Sequence, residues 1–362
     1  MQLLMYHYFF LYFCILNMMM EIITSKDIIS AQDAINRSKR IAIVSHYNPD
    51  GDAVGASLAL YHFFKNRNIS VQVILPNPYP DFLEWMSGSD QILVAEDDMR
   101  SAHSFIEDAD LLFVVDMNAA HRSGNALEGA ILKSSAFKIM IDHHMNPDLE
   151  CDIKFSTSQT SSSAELVYDF LFKYLNKQEE LTKEIAESVY VGIITDTGSL
   201  SHLCNQPQTY LTLAKLIEYG VDGEQIHRNV YDNYSETRMR LLGLSLCNRL
   251  TVMPEFATSY MFLTKQDLLM CNYKRGDTEG FVNYGLAMKT VCFTAFFIER
   301  DNKVRISFRS KGNFDVNIFA REHFGGGGHK NASAAYYNDT LENAIAYFKE
   351  VLKQYAKELK NY

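Results

Sequence analysis

The sequence predicts an α/β fold, an N-terminal mostly parallel sheet with helices on both faces, followed by a smaller α+β domain. Three observations carry that expectation. Short apolar runs at 41–46, 70–76, 111–117 and 137–144 alternate with stretches of helical periodicity, as in parallel sheets covered on both faces. Several of these runs stop at His or Asp. After about residue 205 the texture changes to helices, and from about 251 strand-like runs appear, one pair reading as a hairpin, before a final amphipathic helix. At 362 residues the chain is long enough for two domains, each with its own core.

In chain order, the first twenty residues, MQLLMYHYFFLYFCILNMMM, are a compositional outlier. They lack the basic start and the small-residue cleavage site of a signal peptide. A span of about 20 residues would suffice for a membrane anchor, but Tyr, His and Asn dilute it. They are read as a hydrophobic extension from a misassigned start, with Met18, Met19 or Met20 as the beginning, and no membrane association is expected. IAIVSH (41–46), SVQVILP (70–76), LLFVVDM (111–117) and FKIMIDHH (137–144) are the predicted strands. AVGASLALYHFFKNRN spaces Ala53, Leu58 and Phe64, with Ala56 and Leu60, on adjoining helical faces. SSSAELVYDFLFKYLNK opens on serines that suit an N-cap. VYVGIITDTG (189–198) reads either as a strand or as a helix leading into a turn. The stretch 206–250 is helical and is taken as a connector. TSYMFLTKQDLL, KTVCFTAFFIER and KVRISFRSKG are strand-like, with a hairpin at ERDNKV. FGGGGHKNASAA and a final helix, TLENAIAYFKEVLKQYAKEL, follow. The expected organisation is therefore 1–20 extension, 21–205 first domain, 206–250 connector and 251–355 second domain.

The net charge of −10 advertises no broad basic surface, so long duplex nucleic acid is not an expected partner. A short phosphate-rich substrate remains compatible, because a local pocket or a bound cation opposes the global charge. Six scattered cysteines without a CxxC pair fit reduced thiols in a cytoplasm.

The chemistry concentrates where apolar runs end. In parallel sheets, ligands bind at the carboxyl ends of the strands. SHYNPDGDAVGAS places His46, Asp50 and Asp52 on a Pro- and Gly-containing turn after the first run. Alone it reads equally well as a polar turn with Asp50 as a cap. An EF-hand is disfavoured, because the later Asp/Asn ligands and the bidentate Glu are missing. VVDMNAAHRSG adds Asp116, IDHHMNPD adds Asp142, His143 and His144, and GIITDTGSLSH adds Asp196. Four such clusters are hard to explain as caps alone, and burying them without partners is costly. Together they suggest a metal site.

In this order, His46-x3-Asp50-x-Asp52, Asp116, Asp142-His143-His144 and Asp196 resemble the DHH phosphoesterase superfamily. FGGGGHKNASAA resembles the Gly-Gly-Gly-His signature of the DHHA1 domain that follows it in one branch. The similarity covers nearly all of 21–355 and is nearest to the oligoribonuclease branch, the nanoRNases, which also dephosphorylate 3'-phosphoadenosine 5'-phosphate (pAp). It implies two divalent cations. His46 and Asp50 would hold one, Asp52, His143 and Asp196 the other, and Asp116 would bridge them. Two cations about 3.5–4 Å apart share a carboxylate, acidify water and stabilise charge on an in-line phosphoryl centre. Imidazole mixed with carboxylate suits Mn²⁺, with Mg²⁺ as a substitute.

The resemblance also gives His144 a contact to the scissile phosphate or leaving group. Asp142 is expected either to orient a metal-binding histidine or to cap the strand end. Asp116, Asp142 and His144 are thus the expected catalytic residues. In the second domain, Arg309, Ser310, Gly327, Gly328 and His329 are the expected substrate contacts. The glycines would open backbone N–H groups to phosphate, and a helix starting at HKNASAA would add its positive end. Lys311 and Lys330 are read as solvated. One departure is visible. After Asp196-Thr-Gly, many relatives carry an aromatic and an Arg, whereas this chain has Ser199, Leu200, Ser201 and His202.

The implied function is hydrolysis of short RNA, about two to five nucleotides long, to mononucleotides, with pAp as a further substrate. The first domain would cut and the second would grip the far end. A monomer or homodimer is expected. Three rivals are a phosphodiesterase for linear or cyclic dinucleotides, an inorganic pyrophosphatase and a non-catalytic nucleotide-binding module.

Overall fold

β1 (Arg40–Val44) lies in parallel between β2 (Ser70–Leu75) and β4 (Leu111–Val115). β3 (Leu93–Val94) extends the sheet beyond β2, and β5 (Phe137–Asp142) and β6 (Ile153–Ser156) extend it beyond β4. These six parallel strands, in the order β3-β2-β1-β4-β5-β6, belong to the first of two units in a computed structural model that describes residues 23–274, 276–301 and 303–360. The units meet in sequence at Asp232 and Asn233. The hydrophobic extension at 1–20 lies outside the described residues.

Strand order reverses between β1 and β4. Successive crossovers diverge there and leave a crevice at the carboxyl ends. Every residue of β4, and residues 41–44 of β1, are buried. Cover on both faces is why these strands read as unbroken apolar runs rather than alternating ones.

From β1 the chain turns through Asp50 into helix Gly51–Lys65, whose residues 51–64 are all buried. It packs very closely on helix Lys183–Asp196, which settles the strand-or-helix ambiguity at 189–198. A Cβ on Gly55 would lie 2.5 Å from the Ser188 carbonyl oxygen, and one on Gly192 would lie 2.3 Å from Ala164 Cβ. Glycine at both positions lets the backbones approach. Helix Ser163–Tyr168 starts on Ser162, whose hydroxyl accepts from the Glu165 amide. The expected continuous helix then widens into a π-helical turn, Asp169–Tyr174, and Phe170, Leu171 and Phe172 are all buried.

The stretch 206–250 is shared between the units. Helices Pro207–Glu218 and Gly223–Tyr231 belong to the first, and Glu236–Asn248 belongs to the second. The second unit's sheet has the order β11-β12-β10-β9-β8-β7. Its strands are β7 (Leu250–Met253), β8 (Thr258–Leu263), β9 (Phe293–Glu299), β10 (Val304–Ser310), β11 (Gly327–His329) and β12 (Ala332–Tyr337). β8 and β9 run parallel, and the other pairs run antiparallel. The expected hairpin joins β9 to β10, with Glu299 opposite Val304. One face carries a phenylalanine core that includes Phe293, Phe297, Phe308, Phe319 and Phe348.

The helix expected to start at HKNASAA is not formed. Residues 327–337 form an antiparallel hairpin instead. The helix of this region precedes the glycines. Val316–Phe324 ends on Gly325 in the left-handed conformation, φ 61°. Glycine tolerates that conformation, so it terminates a helix there. The Gly run therefore lies at a helix C-terminus and supplies no positive dipole end.

The five described cysteines are free. Among the described residues, no helix is long and apolar enough to cross a membrane.

Candidate active site

Asp116 is the centre of the cluster in the first unit. It follows β4 directly and has φ 54°, an uncommon backbone state for a non-glycine residue that concentrates at functional positions. Its amide donates to the Ile141 carbonyl at 3.0 Å, which ties the turn to β5. His46 Nε2 lies 3.2 Å from Asp116 Oδ2. On the other oxygen, His143 Nε2 and His144 Nδ1 each lie 3.5 Å from Oδ1, and the Ser163 hydroxyl donates to it at 2.8 Å.

Three triads share this carboxylate, one of them Asp116 with Asp142 and His144. His46, Asp50 and Asp116 offer donor atoms within 4.8 Å of one another, and so do Asp52, Asp116 and His143. Asp196 joins from the last residue of its helix, with Oδ2 3.5 Å from His143 Nε2. Asp50 also caps helix Gly51–Lys65, its Oδ1 accepting from the Asp52 and Ala53 amides at 3.1 Å each. Capping and a ligand position are compatible in one carboxylate. Asp142 pairs with His144: Oδ1 is 2.8 Å from Nδ1, and Oδ2 accepts from the His144 amide at 3.2 Å. It therefore orients His144 and not the metal-type histidine His143.

Charge balance tests whether cations fit here. Among the described residues, Asp52, Asp116 and Asp142 form ion pairs only with histidines. Burial pushes the Asp52 carboxyl well up, and Asp116, Asp196 and Asp50 push it further. Burial also opposes ionisation of Asp116, but the His46 hydrogen bond and the charges of His144, His46 and His143 outweigh it and hold that carboxyl below its usual range. Burial lowers His143, yet Asp196, Asp116, Asp142 and Asp50 together raise it. His46 is likewise raised, burial being overcome by its bond to Asp116 and by Asp50. For His144 burial prevails, and its pKa is lowered. Asp196 adds a carboxylate at the negative end of a helix. The metal-free cluster thus recruits protons that cations would replace, and its N and O donors suit divalent metals.

Two supports were not legible as site residues. The Ser163 and Ala164 amides donate to Asp52 Oδ2 and Oδ1 at 2.7 and 2.8 Å. Glu165, 2% exposed, accepts through Oε2 from the Thr160, Ser161 and Thr209 hydroxyls and the Ser161 amide. The serine run signals a cap, and nothing in its spacing signals contact with a strand end far away in sequence.

In the second unit, Ser310 is buried. Its hydroxyl donates to the Phe314 carbonyl at 2.6 Å and accepts from Asn331 Nδ2 at 2.8 Å, so both directions are used locally. Lys311 is not solvated as read. Its ammonium donates to the Met288 and Val291 carbonyls at 3.1 Å each. Arg309, the penultimate residue of β10, faces Ala332 of β12, which also pairs with His329 of β11. The glycines divide by role. A Cβ on Gly326 would lie 2.2 Å from the Ala334 carbonyl oxygen, and Gly328 has φ 148°, whereas a Cβ on Gly327 would meet only Asn317 Oδ1 at 3.7 Å. The Gly328 amide donates to Asn317 Oδ1 at 3.1 Å.

Comparison with known proteins places both units. Residues 40–193 match the DHH family, N-terminal domain, and residues 265–358 match the DHHA1 domain. The chain is 26% identical over 316 residues to a probable bifunctional oligoribonuclease and PAP phosphatase NrnA of Streptococcus mutans, covering 86% of this chain and 95% of that one. It is 25% identical to the bifunctional oligoribonuclease and PAP phosphatase NrnA of Bacillus subtilis, covering 87% and 95%. The solved structure of an exopolyphosphatase-related protein from Bacteroides fragilis aligns with TM-score 0.90 and 38% identity, over 94% of this chain and all of that one.

Proposed function

The chain belongs to the DHH family, and from that premise we propose that it is a metal-dependent phosphoesterase that hydrolyses short RNA oligonucleotides to mononucleotides and also dephosphorylates pAp. The carrying observation is the double contact on Asp116, with His46 at one oxygen and His143 at the other. Relatives named for both activities cover most of the chain and support the substrate class. The expected length, about two to five nucleotides, follows the family. The acidic net charge agrees with a short substrate held by local cations.

His46, Asp50 and Asp116 would hold one divalent cation, and Asp52, His143, Asp196 and the shared Asp116 a second. Bound there, Mn²⁺ or Mg²⁺ would polarise a phosphoryl oxygen and acidify a water. Mn²⁺ is preferred for the imidazole content of the set. The chain's own groups do the rest. The Ser163 and Ala164 amides neutralise part of the Asp52 charge and fix its plane. The Ser163 hydroxyl does the same for Asp116. Asp142 accepts the Nδ1 proton of His144, which leaves Nε2 to exchange a proton with the leaving ribose oxygen. As that proton is taken up or given, Asp142 stabilises the imidazolium form. Arg309, the Gly327 backbone and His329 contact the terminal phosphate of short substrates in this reading, and the Gly328 amide, already held by Asn317, does not.

The test is digestion of 5'-labelled RNA 2-mers to 10-mers in Mn²⁺, with pAp, pApA, pGpG, cyclic di-AMP, pyrophosphate and polyphosphate in parallel. The expected result is fastest turnover of the shortest RNAs, with phosphate release from pAp. Turnover confined to pApA and pGpG with 3-mers and longer RNAs uncut, or faster turnover of cyclic di-AMP, would replace the reading with a dinucleotide phosphodiesterase. No metal-dependent turnover of any substrate would sink it.

A further inference from the structure

β10 alternates strictly. Val304, Ile306, Phe308 and Ser310 are buried, and Arg305, Ser307 and Arg309 are half-exposed. Its register with β12 sets Arg305 opposite Tyr336, Ser307 opposite Ala334 and Arg309 opposite Ala332. One sheet face therefore runs from Arg309 to Arg305 on β10 and from Ala332 to Tyr336 on β12. On β9 the same face carries Phe296 and Ile298, which are buried in a cluster with Phe281 and Val282. The cover stops there. Across β10 and β12 the face is open, Tyr336 being 46% exposed.

Arg305 is the unusual residue of this face. Among the described residues its guanidinium makes no hydrogen bond, ion pair or ring contact. Arg249 pairs with Asp267, Arg238 binds three carbonyls, and Arg300 donates to the Tyr273 hydroxyl. A guanidinium on an open sheet face without an acid, in a chain of net charge −10, is complementary to an anion and shaped for phosphate. Lys303 adds a second cation, its Nζ 4.4 Å from the Tyr336 ring centroid. Ser307 and Ala334 lie between and keep the floor low. Arg305 and Arg309 are four residues apart on one strand, about 13 Å, so they would meet different phosphates.

We propose that Arg305 and Tyr336 form a second nucleotide subsite on the open face of β10 and β12. It takes the continuation of single-stranded oligonucleotides too long to end at Arg309, whose internal phosphate then lies at that grip, with a further phosphate on Arg305 and a base stacked on Tyr336. The inference rests on the hydrolase reading above. It adds a basis for telling longer oligonucleotides from a single-nucleotide substrate such as pAp. Stacking on an exposed aromatic tolerates any base, so the subsite reads length and not sequence.

The experiment is steady-state kinetics of the Mn²⁺-loaded full chain on pAp and on RNA 2-mers to 5-mers, with Arg305→Ala, Arg305→Lys, Tyr336→Ala and Tyr336→Phe. The variant-to-wild-type KM ratio should rise with length, reaching about 5-fold or more for Tyr336→Ala on the 5-mer. Tyr336→Phe should restore it. For Arg305→Ala the slope of log KM against log salt on the 5-mer should fall by about 0.7, and Arg305→Lys should retain it. A KM ratio independent of length overturns the subsite. Equilibrium binding of a labelled phosphorothioate RNA 5-mer separates the two readings. If the unaltered protein cleaves nothing, the hydrolase reading fails, and binding alone decides the subsite. An unchanged Kd in both alanine variants would then overturn it.

Discussion

Each unit is built on a six-stranded sheet, and each buries a carboxylate, but they treat it in opposite ways. In the second unit, Asp267 is 2% exposed and meets Arg249 through both oxygens, at 3.0 and 3.1 Å, while also closing the capping box of helix Lys265–Met270. Burial alone would raise its pKa, but Arg249 and Thr264 win and hold it below the usual range. In the first unit, Asp52 is 1% exposed and has two backbone amides but neither Lys nor Arg. Burial and three neighbouring carboxylates raise it. Asp267 is packed with its cation, whereas buried Glu165 is satisfied by hydroxyls and an amide. Carboxylates gathered without a Lys or Arg mark a place for a cation that comes from solution. Asp169 is an intermediate case. It has an ion pair with Lys173, yet burial still lifts it to about 6.

The largest expected effect breaks the first-unit cluster at its shared member. Asp116→Asn should reduce kcat on RNA dinucleotides by about 10³-fold or more, while the metal-free protein melts no lower than wild type. Near-normal turnover would end the assignment of Asp116 as the shared ligand. The contrast itself is tested by a pair of variants. Asp267→Asn should cost about 3 kcal/mol in denaturant unfolding, because Arg249 loses its partner. Asp52→Asn should abolish the rise in Tm that Mn²⁺ produces, with a metal-free loss of about 1–3 kcal/mol from the one backbone amide left without an acceptor. An Mn²⁺-induced rise in Tm that survives in Asp52→Asn, or is lost in Asp267→Asn, would remove the distinction drawn between them.

A smaller effect separates the glycines of the second unit. Gly326→Ala should cost about 1–3 kcal/mol, since its Cβ would press on the Ala334 carbonyl. Gly327→Ala meets only ordinary contacts and should keep the wild-type stability to within about 0.5 kcal/mol, yet raise KM. Unchanged KM would mean that the glycine run serves the hairpin alone. The smallest effect is a pH dependence. Asp169 keeps its proton in the folded chain up to about 6, against 3.8 when unfolded. The folded state therefore binds more protons between these values, and stability is lost as pH rises through them. Asp169→Asn should flatten that slope and gain about 1–3 kcal/mol relative to wild type above pH 6. Parallel stability curves from pH 4 to 7 would show that Lys173 already balances the charge.

The parallel strands were legible because burial on both faces leaves unbroken apolar runs, and β1, β2, β4 and β5 fall where those runs lie. Short or edge strands such as β3, β6 and β7 have too few residues to show a period. The HKNASAA segment reads as a helix start because Ala and Ser carry no strong strand signal. Its conformation is set by pairing with β10, a tertiary contact. The lysine at 311 shows the same limit, since a carbonyl-bound ammonium and a solvated one look alike in sequence.

His46, Asp50, Asp52, Asp116, Asp142, His143, His144 and Asp196 are visible in the sequence as polar residues at the ends of apolar segments, because a strand or helix must stop being apolar where it meets a crevice. Which of them touch is decided by the fold alone. The reversal of strand order brings the ends of β1 and β4 together. Glycines at 55 and 192 let two helices approach until Asp52 and Asp196 both come within 4 Å of His143. The pairing of Asp142 with His144, and the Ser163 and Glu165 supports, depend on distances between segments that adjacency in the chain does not encode.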